Sequence, residues 1–484
     1  MHTETILQTF HSLLNEQHTV ITRIDQLPGA GSNRIYFRIH TEEKTLIGTF
    51  SDNVSENETF FYFAEHFKDQ NVVPKIVAIS SDRMIYVQED FGPISLLHII
   101  QKKGYASETY DLYKKSLEKL ASMQIRGHQN LDYSRCFSTR KFDKQSIIAD
   151  LYYFKFCFVD ALNIPYDKQK LANDFDTFIN YLTQTKHQYF MFRDFQSRNI
   201  QIQNNEAFFI DFQGGMQGPI HYDVASLLWQ SRANLPMEWR EKLLNDYIDF
   251  ANQHLEAPLD TDQFKKEYNG FLLIRMIQVL GAYGFRGLFE KKQAFITSIP
   301  PALENIEWFL KNLSIDAELP ELFNLLKNIT STSIKNKFIV NKATEDTKLI
   351  IKTGSFSYKK GIPEDKTQNG GGFVFDCRGI LNPGRIDQYK TQTGRDQGVI
   401  DYLEANTRMP EFIQNIFSVV DITIEDYMAR DFESLQIMFG CTGGQHRSVY
   451  SADALAKHVQ EKYGLTVEVV HREQEAKNWI NEMY

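Results

Sequence analysis

Three oxygen-bearing side chains lie close enough along the chain to handle a phosphoryl group. Asp194 and Asn199 are five residues apart in Phe192-Arg193-Asp194-Phe195-Gln196-Ser197-Arg198-Asn199, and Asp211 follows in Ile210-Asp211-Phe212-Gln213. Between them, Ile200–Gln203 and Ala207–Ile210 read as two four-residue strands around a polar turn. Paired as a hairpin, they bring Asn199 and Asp211 side by side at its open end. An amide oxygen and a carboxylate facing one point are hard ligands of the kind Mg²⁺ takes, with room for water and phosphate. Asp194, beside that point, is placed to act as a base toward an acceptor hydroxyl. The alternative is a surface hairpin that carries Asp and Asn because both are common at turns.

A second cluster lies near the other end of the chain. The apolar strand Gln436–Phe439 runs into Gly440-Cys441-Thr442-Gly443-Gly444-Gln445-His446-Arg447-Ser448, and then a helix begins. A Gly-rich turn at a helix start presents unpaired N–H groups and the positive end of the helix dipole. With donors from His446 and Arg447, the residues Cys441, Thr442, Gly443, Gly444, His446, Arg447 and Ser448 form a candidate anion cradle. It lacks the Gly-Lys-Ser/Thr ending of a Walker loop, which argues against NTP hydrolysis here. Cys441-x-x-Gly444-x-x-Arg447-Ser448 also fits the cysteine phosphatase signature, in which a thiolate attacks phosphate. A tight turn whose Arg447 caps a neighbouring element is a third reading. Asp376, Arg378, Arg385 and Arg395 are secondary site candidates, equally readable as surface ion pairs.

The elements that must position these groups fall into two units. A helical segment, Thr3–Gln17, is followed by strand-like pieces on either side of Gly29-Ala30-Gly31-Ser32-Asn33, the second being Arg34–Ile39, and by strands near Thr45–Phe50 and Met84–Gln88. From Leu97 to Thr185, and again from Val224, the pattern is helical, so a strand-rich lobe precedes a helix-rich one. Between Asn328 and Asp346 the helical pattern gives way to the polar run Thr330-Ser331-Thr332-Ser333, which places a first domain at 1–328, a linker at 329–345 and a second domain at 346–484. The second mixes strands (Lys348–Lys352, Gly372–Asp376, Gln436–Phe439, Thr466–Val470) with helices, an α/β pattern.

The 484 residues, 42 % hydrophobic and 24 % charged, exclude disorder, collagen and coiled coil. Four widely spaced cysteines suggest neither a disulfide framework nor a zinc site. The net charge of −9 argues against a general nucleic-acid surface and for a small-molecule pocket. No run approaches the roughly 18 apolar residues of a spanning helix, and Met1–Val20 lacks the layout of a secretion signal, so a cytoplasmic protein without membrane partners is expected.

The spacing Asp194-x-x-x-x-Asn199, with Asp211 after the next strand, resembles the kinase catalytic loop. Together with Gly218-Pro219-Ile220-His221-Tyr222-Asp223-Val224-Ala225-Ser226-Leu227-Leu228, it resembles the aminoglycoside phosphotransferase family, nearest to the anomeric amino-sugar kinases of the AmgK type, over about residues 1–328. Such kinases phosphorylate N-acetylmuramate and N-acetylglucosamine at C1. The resemblance implies a two-lobed, protein-kinase-like α+β domain using ATP and Mg²⁺. It makes Asp194 the catalytic base, Asn199 and Asp211 the metal ligands and Asp223 a structural brace for the loop. It implies nucleotide contacts from the turn Gly29, Gly31, Ser32 and Asn33, from Glu58 at the start of the helix-like Asn57–Phe67, and from Glu89 and Phe91 in the hinge Gln88-Glu89-Asp90-Phe91-Gly92. Two positions depart from the family: Phe192 stands where most relatives have His, and Leu46-Ile47-Gly48-Thr49 has no phosphate-pairing Lys, which leaves GTP open beside ATP. Arg193 and Arg198 in the loop, with Arg275 and Arg286 in a later helical segment, favour a neutral or anionic acceptor, and Arg198, Arg275 and Arg286 are the substrate-binding candidates.

Gly440–Tyr450, with Gly361-Ile362-Pro363, Phe375-Asp376-Cys377-Arg378, Asn382-Pro383 and Thr393-Gly394, resembles the C-terminal domain of the RNase adapter RapZ over about residues 346–475. That likeness implies a phosphosugar ligand, glucosamine-6-phosphate, and in RapZ itself a small RNA. From Glu345 to Tyr484, 16 Lys and Arg stand against 21 Asp and Glu, so RNA binding is not expected here. The combined expectation is a sugar kinase of cell-wall sugar recycling with a phosphosugar-binding domain. The alternative is a non-catalytic regulatory or adapter protein that senses an amino-sugar phosphate.

Overall fold

Alternation of apolar and polar residues builds the first sheet from five strands: β1 (Ile21–Gln26), β2 (Ile35–Thr41), β3 (Thr45–Phe50), β4 (Ile76–Ile79) and β5 (Ile85–Glu89). They pair antiparallel in the order β1-β2-β3-β5-β4. Phe37, Ile39, Leu46, Ile85 and Val87 share one face and pack on Ile6, Phe10 and Leu14 of α1 (Thr3–Asn15). The Phe10 ring comes so close to β3 that a Cβ at Gly48 would lie 2.5 Å from it. On the opposite face, Tyr36 stands beside Thr49 and Thr49 beside Tyr86, while Arg38, Ile47 and Gln88 form the next row.

The structure, a computed structural model, describes residues 3–27, 34–137, 139–290, 292–338, 343–344, 346–365 and 372–480. The turn residues Gly29, Gly31, Ser32 and Asn33 lie outside them. The chain folds as two units, Met1–Phe338 and Ile339–Tyr484.

In the first unit, α2 (Val54–Phe67) begins three residues before the expected Asn57. Asn53 caps the helix: its side chain accepts from the Glu56 N–H and donates to the Glu56 carboxylate, each at 3.3 Å. Aromatic residues of α2 then join the two lobes. Phe60 stacks on Phe212 with centroids 4.8 Å apart, and Phe63 and Phe67 pack on Phe190. The second lobe buries its core between the helices Ser107–Ile125, Lys144–Phe154, Lys168–Leu182, Ile220–Leu228, Met237–Asn252 and Thr261–Tyr283. The segment Thr261–Phe289 is long and apolar enough to cross a membrane, and 61 % of its most apolar window is buried inside the unit as a core helix. The unit continues past the polar run at 330–333: Thr332–Lys335 is a helical turn, Lys335 pairs with Glu307, and Phe338 is buried in the same core.

Four short strands carry the chemistry-bearing segment: β6 (Gln188–Met191) pairs with β9 (Met216–Pro219), and β7 (Ile200–Gln203) pairs with β8 (Glu206–Phe209). The second unit is an α/β layer built on a wholly parallel sheet. Its strands are β10 (Ile350–Ser357), β11 (Gly372–Asp376), β12 (Ser434–Cys441) and β13 (Thr466–His471), in the order β11-β12-β10-β13. The helices Met409–Ala429 and Arg447–Tyr463 contribute to its core.

Candidate active site

The chain leaves β6 through Phe192 and Arg193, whose φ of +78° turns the backbone sharply. Both residues' N–H groups point at Asp223, donating to Oδ2 at 2.7 Å and Oδ1 at 2.9 Å. Gln124 Nε2 donates to Asp223 Oδ2 at 2.8 Å, and the Tyr247 hydroxyl donates to Gln124 Oε1 at 2.5 Å. Asp223 is fully buried, and burial pushes its carboxyl up to about 7 against the pull of these hydrogen bonds and of the Arg275 charge. The Arg193 side chain turns inward to Asp150 at 2.6 Å and the Tyr222 hydroxyl at 3.0 Å, over the rings of Phe142 and Tyr222. Phe192 is buried against Phe195, Phe209 and Phe212.

After a short helical turn, Ser197–Asn199, the hairpin follows with Ile200 opposite Phe209 and Gln203 opposite Glu206. Asn204 and Asn205 have φ of +50° and +61°, as a two-residue type I′ turn requires, and this starts β8 one residue earlier than Ala207. At the open end, Asn199 Nδ2 donates to Asp211 Oδ2 at 3.3 Å and to the Asp194 carbonyl at 3.0 Å. Asp211 adopts φ +68° and its Oδ1 accepts from Gln213 Nε2 at 2.9 Å. The Asp194 side chain is 46 % exposed, 3.6 Å from Arg275 Nη2. Asp194, Asn199, Asp211 and Asp223 therefore meet around one loop. Asn199 and Asp211 offer an amide oxygen and a carboxylate, a donor set suited to Mg²⁺ that shares its remaining positions with phosphate oxygens and water. Among the described residues no group of three or more His, Cys, Asp or Glu could hold a metal alone.

On the other side of the site the acidic residue that faces inward is Glu56, not Glu58. Glu58 pairs with Arg83, both about two-fifths exposed. Residues two apart on a helix point in nearly opposite directions, so with Glu56 turned inward Glu58 points away. Glu56 Oε1 lies 3.0 Å from Arg34 Nη2 and accepts from Gln213 Nε2 at 3.3 Å. The sequence signal for the helix start was the capping pattern Asn53-x-x-Glu56. In the segment expected as the hinge, Glu89 closes β5 opposite Leu46, and Phe91 stacks on Phe208 with centroids 4.2 Å apart. Asp90 takes both Arg38 Nε, at 2.8 Å, and the Gly92 N–H, at 2.8 Å. The Ile202 N–H donates to the Ile94 carbonyl at 2.8 Å, which ties the hinge segment to the hairpin.

The three arginines expected at the substrate separate. Arg198 is exposed on the loop. Arg275 is buried: its Nε donates to Ser226 Oγ at 3.0 Å, it also reaches Gln278, and it lies over the Tyr222 ring beside Asp194. Arg286 is held by Glu290 at 2.6 Å, one turn away.

In the second unit, Cys441 ends β12 and Arg447 starts the next helix. Gly444, at φ +62°, donates its N–H to Cys441 Sγ at 3.2 Å, and Ser448 Oγ lies 3.1 Å from the same sulfur. A Cβ on Gly444 would come within 2.7 Å of the buried Glu473 carboxylate. Gln445 Nε2 donates to the carbonyls of Lys390 and Gln392, and His446 Nε2 donates to that of Tyr389, all at 2.8 Å. Burial holds the His446 imidazole low, and so neutral. Arg447 Nη1 donates to the carbonyls of Arg378 and Ile380 at 3.1 and 2.7 Å, the capping arrangement, which leaves its Nε buried without a partner. Thr442 is exposed and Gly443 half-buried. Of the secondary candidates, Asp376 pairs with Arg378, and Arg395 with Asp453. The sequence offered no pointer to the chain of contacts behind the loop, Ser355 Oγ to His471 Nδ1 at 2.9 Å and His471 Nε2 to Asp453 at 3.0 Å.

Comparison with known proteins places each unit. Residues 23–258 match the family model of the phosphotransferase enzyme family, and residues 349–475 match that of the RapZ C-terminal domain. A nucleotide-binding protein of Thermotoga petrophila is 30 % identical over 230 residues, 47 % of this chain and 79 % of that one. A nucleotide-binding protein of Xylella fastidiosa is 36 % identical over 132 residues, 27 % of this chain and 44 % of that one. Among solved structures, choline kinase of Cryptosporidium parvum is 14 % identical, with a TM-score of 0.46, covering 68 % of this chain and all of that one. The first unit thus carries a phosphotransferase enzyme family domain and the second a RapZ C-terminal domain.

Proposed function

We propose that the first unit is an ATP- and Mg²⁺-dependent kinase that phosphorylates a small sugar, N-acetylmuramate or N-acetylglucosamine, at the anomeric hydroxyl, and that the second binds a phosphosugar. The observation that carries this reading is the meeting of Asp194, Asn199 and Asp211 at the open end of one hairpin, braced by Asp223. In this reading Asp194 orients the acceptor hydroxyl and takes its proton. Asn199 and Asp211 hold the metal, which when bound neutralises charge on the nucleotide phosphates. Glu89 and Phe91 border the base. The sugar class rests on likeness to the anomeric kinases, supported by Arg275 beside Asp194, where a polycationic acceptor would need acids. For the second unit, the support is the Cys441–Ser448 turn at the carboxyl ends of a parallel sheet, where open α/β folds bind ligands.

The test is phosphorus NMR of the full chain with MgATP and, separately, N-acetylmuramate, N-acetylglucosamine, glucosamine and an aminoglycoside, with Asp194→Asn alongside. An anomeric phosphate signal from wild type alone supports the reading. Absence of product with every acceptor, from folded protein, rejects it in favour of an adapter. Addition of glucosamine-6-phosphate then asks whether the second unit regulates the first, and equal rates with and without it remove that link.

A further inference from the structure

The strand from which related kinases present a phosphate-binding lysine has none here. β3 reads Thr-Leu-Ile-Gly-Thr-Phe, and the side chains it turns away from α1 are Thr45, Ile47 and Thr49. A buried cation stands on the neighbouring strand instead. Arg34 immediately precedes β2 and shares a face with Tyr36 and Arg38 by the two-residue period. Its side chain is only 5 % exposed. Nη2 lies 3.0 Å from Glu56 Oε1, a charge contact whose N–H groups are not aligned with it, the Tyr36 hydroxyl also stands within reach of the guanidinium, and neither Nε nor Nη2, both buried, makes an aligned hydrogen bond.

Buried donors of a charged group are costly to leave unmade, so two of them on one guanidinium point to a missing partner. Nε and Nη2 form one edge of the planar group, the fork that binds two oxygens of a phosphate or carboxylate side by side. The surroundings select phosphate. Glu56, which touches Arg34 at Nη2, also accepts from Gln213 Nε2, and that amide donates to Asp211 Oδ1. One chain of contacts therefore links Arg34 to a proposed metal ligand. Arg38, the next cation on the face, is already engaged by Asp90 through Nε and Nη2 at 2.8 and 3.4 Å.

We propose that Arg34 is the phosphate-binding cation of this chain, donating from Nε and Nη2 to the polyphosphate of a nucleoside di- or triphosphate while Glu56 orients it. The assignment rests on the kinase reading above. It replaces the missing strand lysine by an arginine from the adjacent strand, and a point charge by a planar fork.

Calorimetric titration of the full chain without acceptor tests this, using ADP and adenosine and, separately, GDP and guanosine. The variants are Arg34→Lys, Arg34→Met and Arg34→Met/Glu56→Gln, the last removing both charges so that no carboxylate is left without its partner. Arg34→Met and the double variant are expected to weaken diphosphate binding roughly 10- to 100-fold and leave nucleoside binding within about twofold, with Arg34→Lys between. Unchanged diphosphate affinity, or nucleoside affinity lost in step with it, overturns the assignment. A wild-type chain that binds no nucleotide overturns the kinase reading itself, and the assignment with it.

Discussion

Replacing Glu56 and Glu58 by Gln, one at a time, should have unequal effects, although the two residues share a helix turn and a chemistry. The Glu58–Arg83 pair has both partners about two-fifths exposed, and a pair in that setting contributes at most about 1 kcal/mol. Arg34 is a different case, with a side chain 5 % exposed and Glu56 as its carboxylate partner. Breaking a buried pair from one side costs about 3–5 kcal/mol, and because Glu56 itself is 24 % exposed that range is discounted to about 2–3 kcal/mol. Urea unfolding of the full chain, followed by the first unit's tryptophans Trp229, Trp239 and Trp308, reads the difference. At a slope of about 3 kcal/mol/M, Glu56→Gln should lower the midpoint by roughly 0.7–1 M and Glu58→Gln by no more than about 0.3 M. Turnover should fall with the first and stay near wild type with the second. An equal shift, or a larger one for Glu58→Gln, would refute the placement of the two side chains.

Two further outcomes follow from buried carboxylates. Asp223→Asn turns an acceptor into a donor opposite the N–H of Phe192 or Arg193 and should cost about 2–4 kcal/mol. Because burial holds the folded Asp223 near 7, above its ordinary 3.8, the carboxyl contributes most below about pH 4 and progressively less as pH rises through 7. The gap between wild type and this variant in urea midpoints should therefore narrow over that window; a gap that widens contradicts the burial. In the second unit, burial pushes Asp453 up but His471 and Arg395 outweigh it and hold it at about 2, so Asp453→Asn should cost about 2 kcal/mol at pH 7. That contribution is present above about pH 4 and lost as pH falls through about 2, so Trp479 fluorescence should show wild type and variant converging in acid.

The hairpin was legible because everything that defines it is local. Its strands have four residues each, the Asn204-Asn205 turn accepts positive φ, and Asn199 and Asp211 flank it directly. The inward acid was not legible: Glu58 was expected from family likeness, whereas the fold pairs Glu58 with Arg83 and turns Glu56, two residues earlier, toward Arg34 and Gln213. The capping pair Asn53 and Glu56 marks only the helix start, and the apolar period that would set its facing is blurred in α2 by the burial of Phe60, Phe61, Phe63 and Phe67 on more than one side. The orientation of Arg275 was not legible, and that of Arg447 stood as one of three readings. Each is a buried arginine whose partners, Ser226 and Asp194 in one case and the carbonyls of Arg378 and Ile380 in the other, come from distant parts of the chain. Residue type alone does not say which buried acceptors such an arginine meets, because those acceptors come from remote segments.

The proposed metal pair and its alignment arise on different scales of chain length. Asn199 and Asp211 are 12 positions apart on a two-residue turn, and hairpins of this size form in about 1–10 μs. The Gln124–Asp223 contact spans 99 positions and the Glu56–Gln213 contact 157, so both wait for large loops to close. During refolding the pair should exist before the frame that aims it. Recovery of activity would then lag behind recovery of secondary structure, with the lag set by docking of the strand-rich lobe against the hairpin.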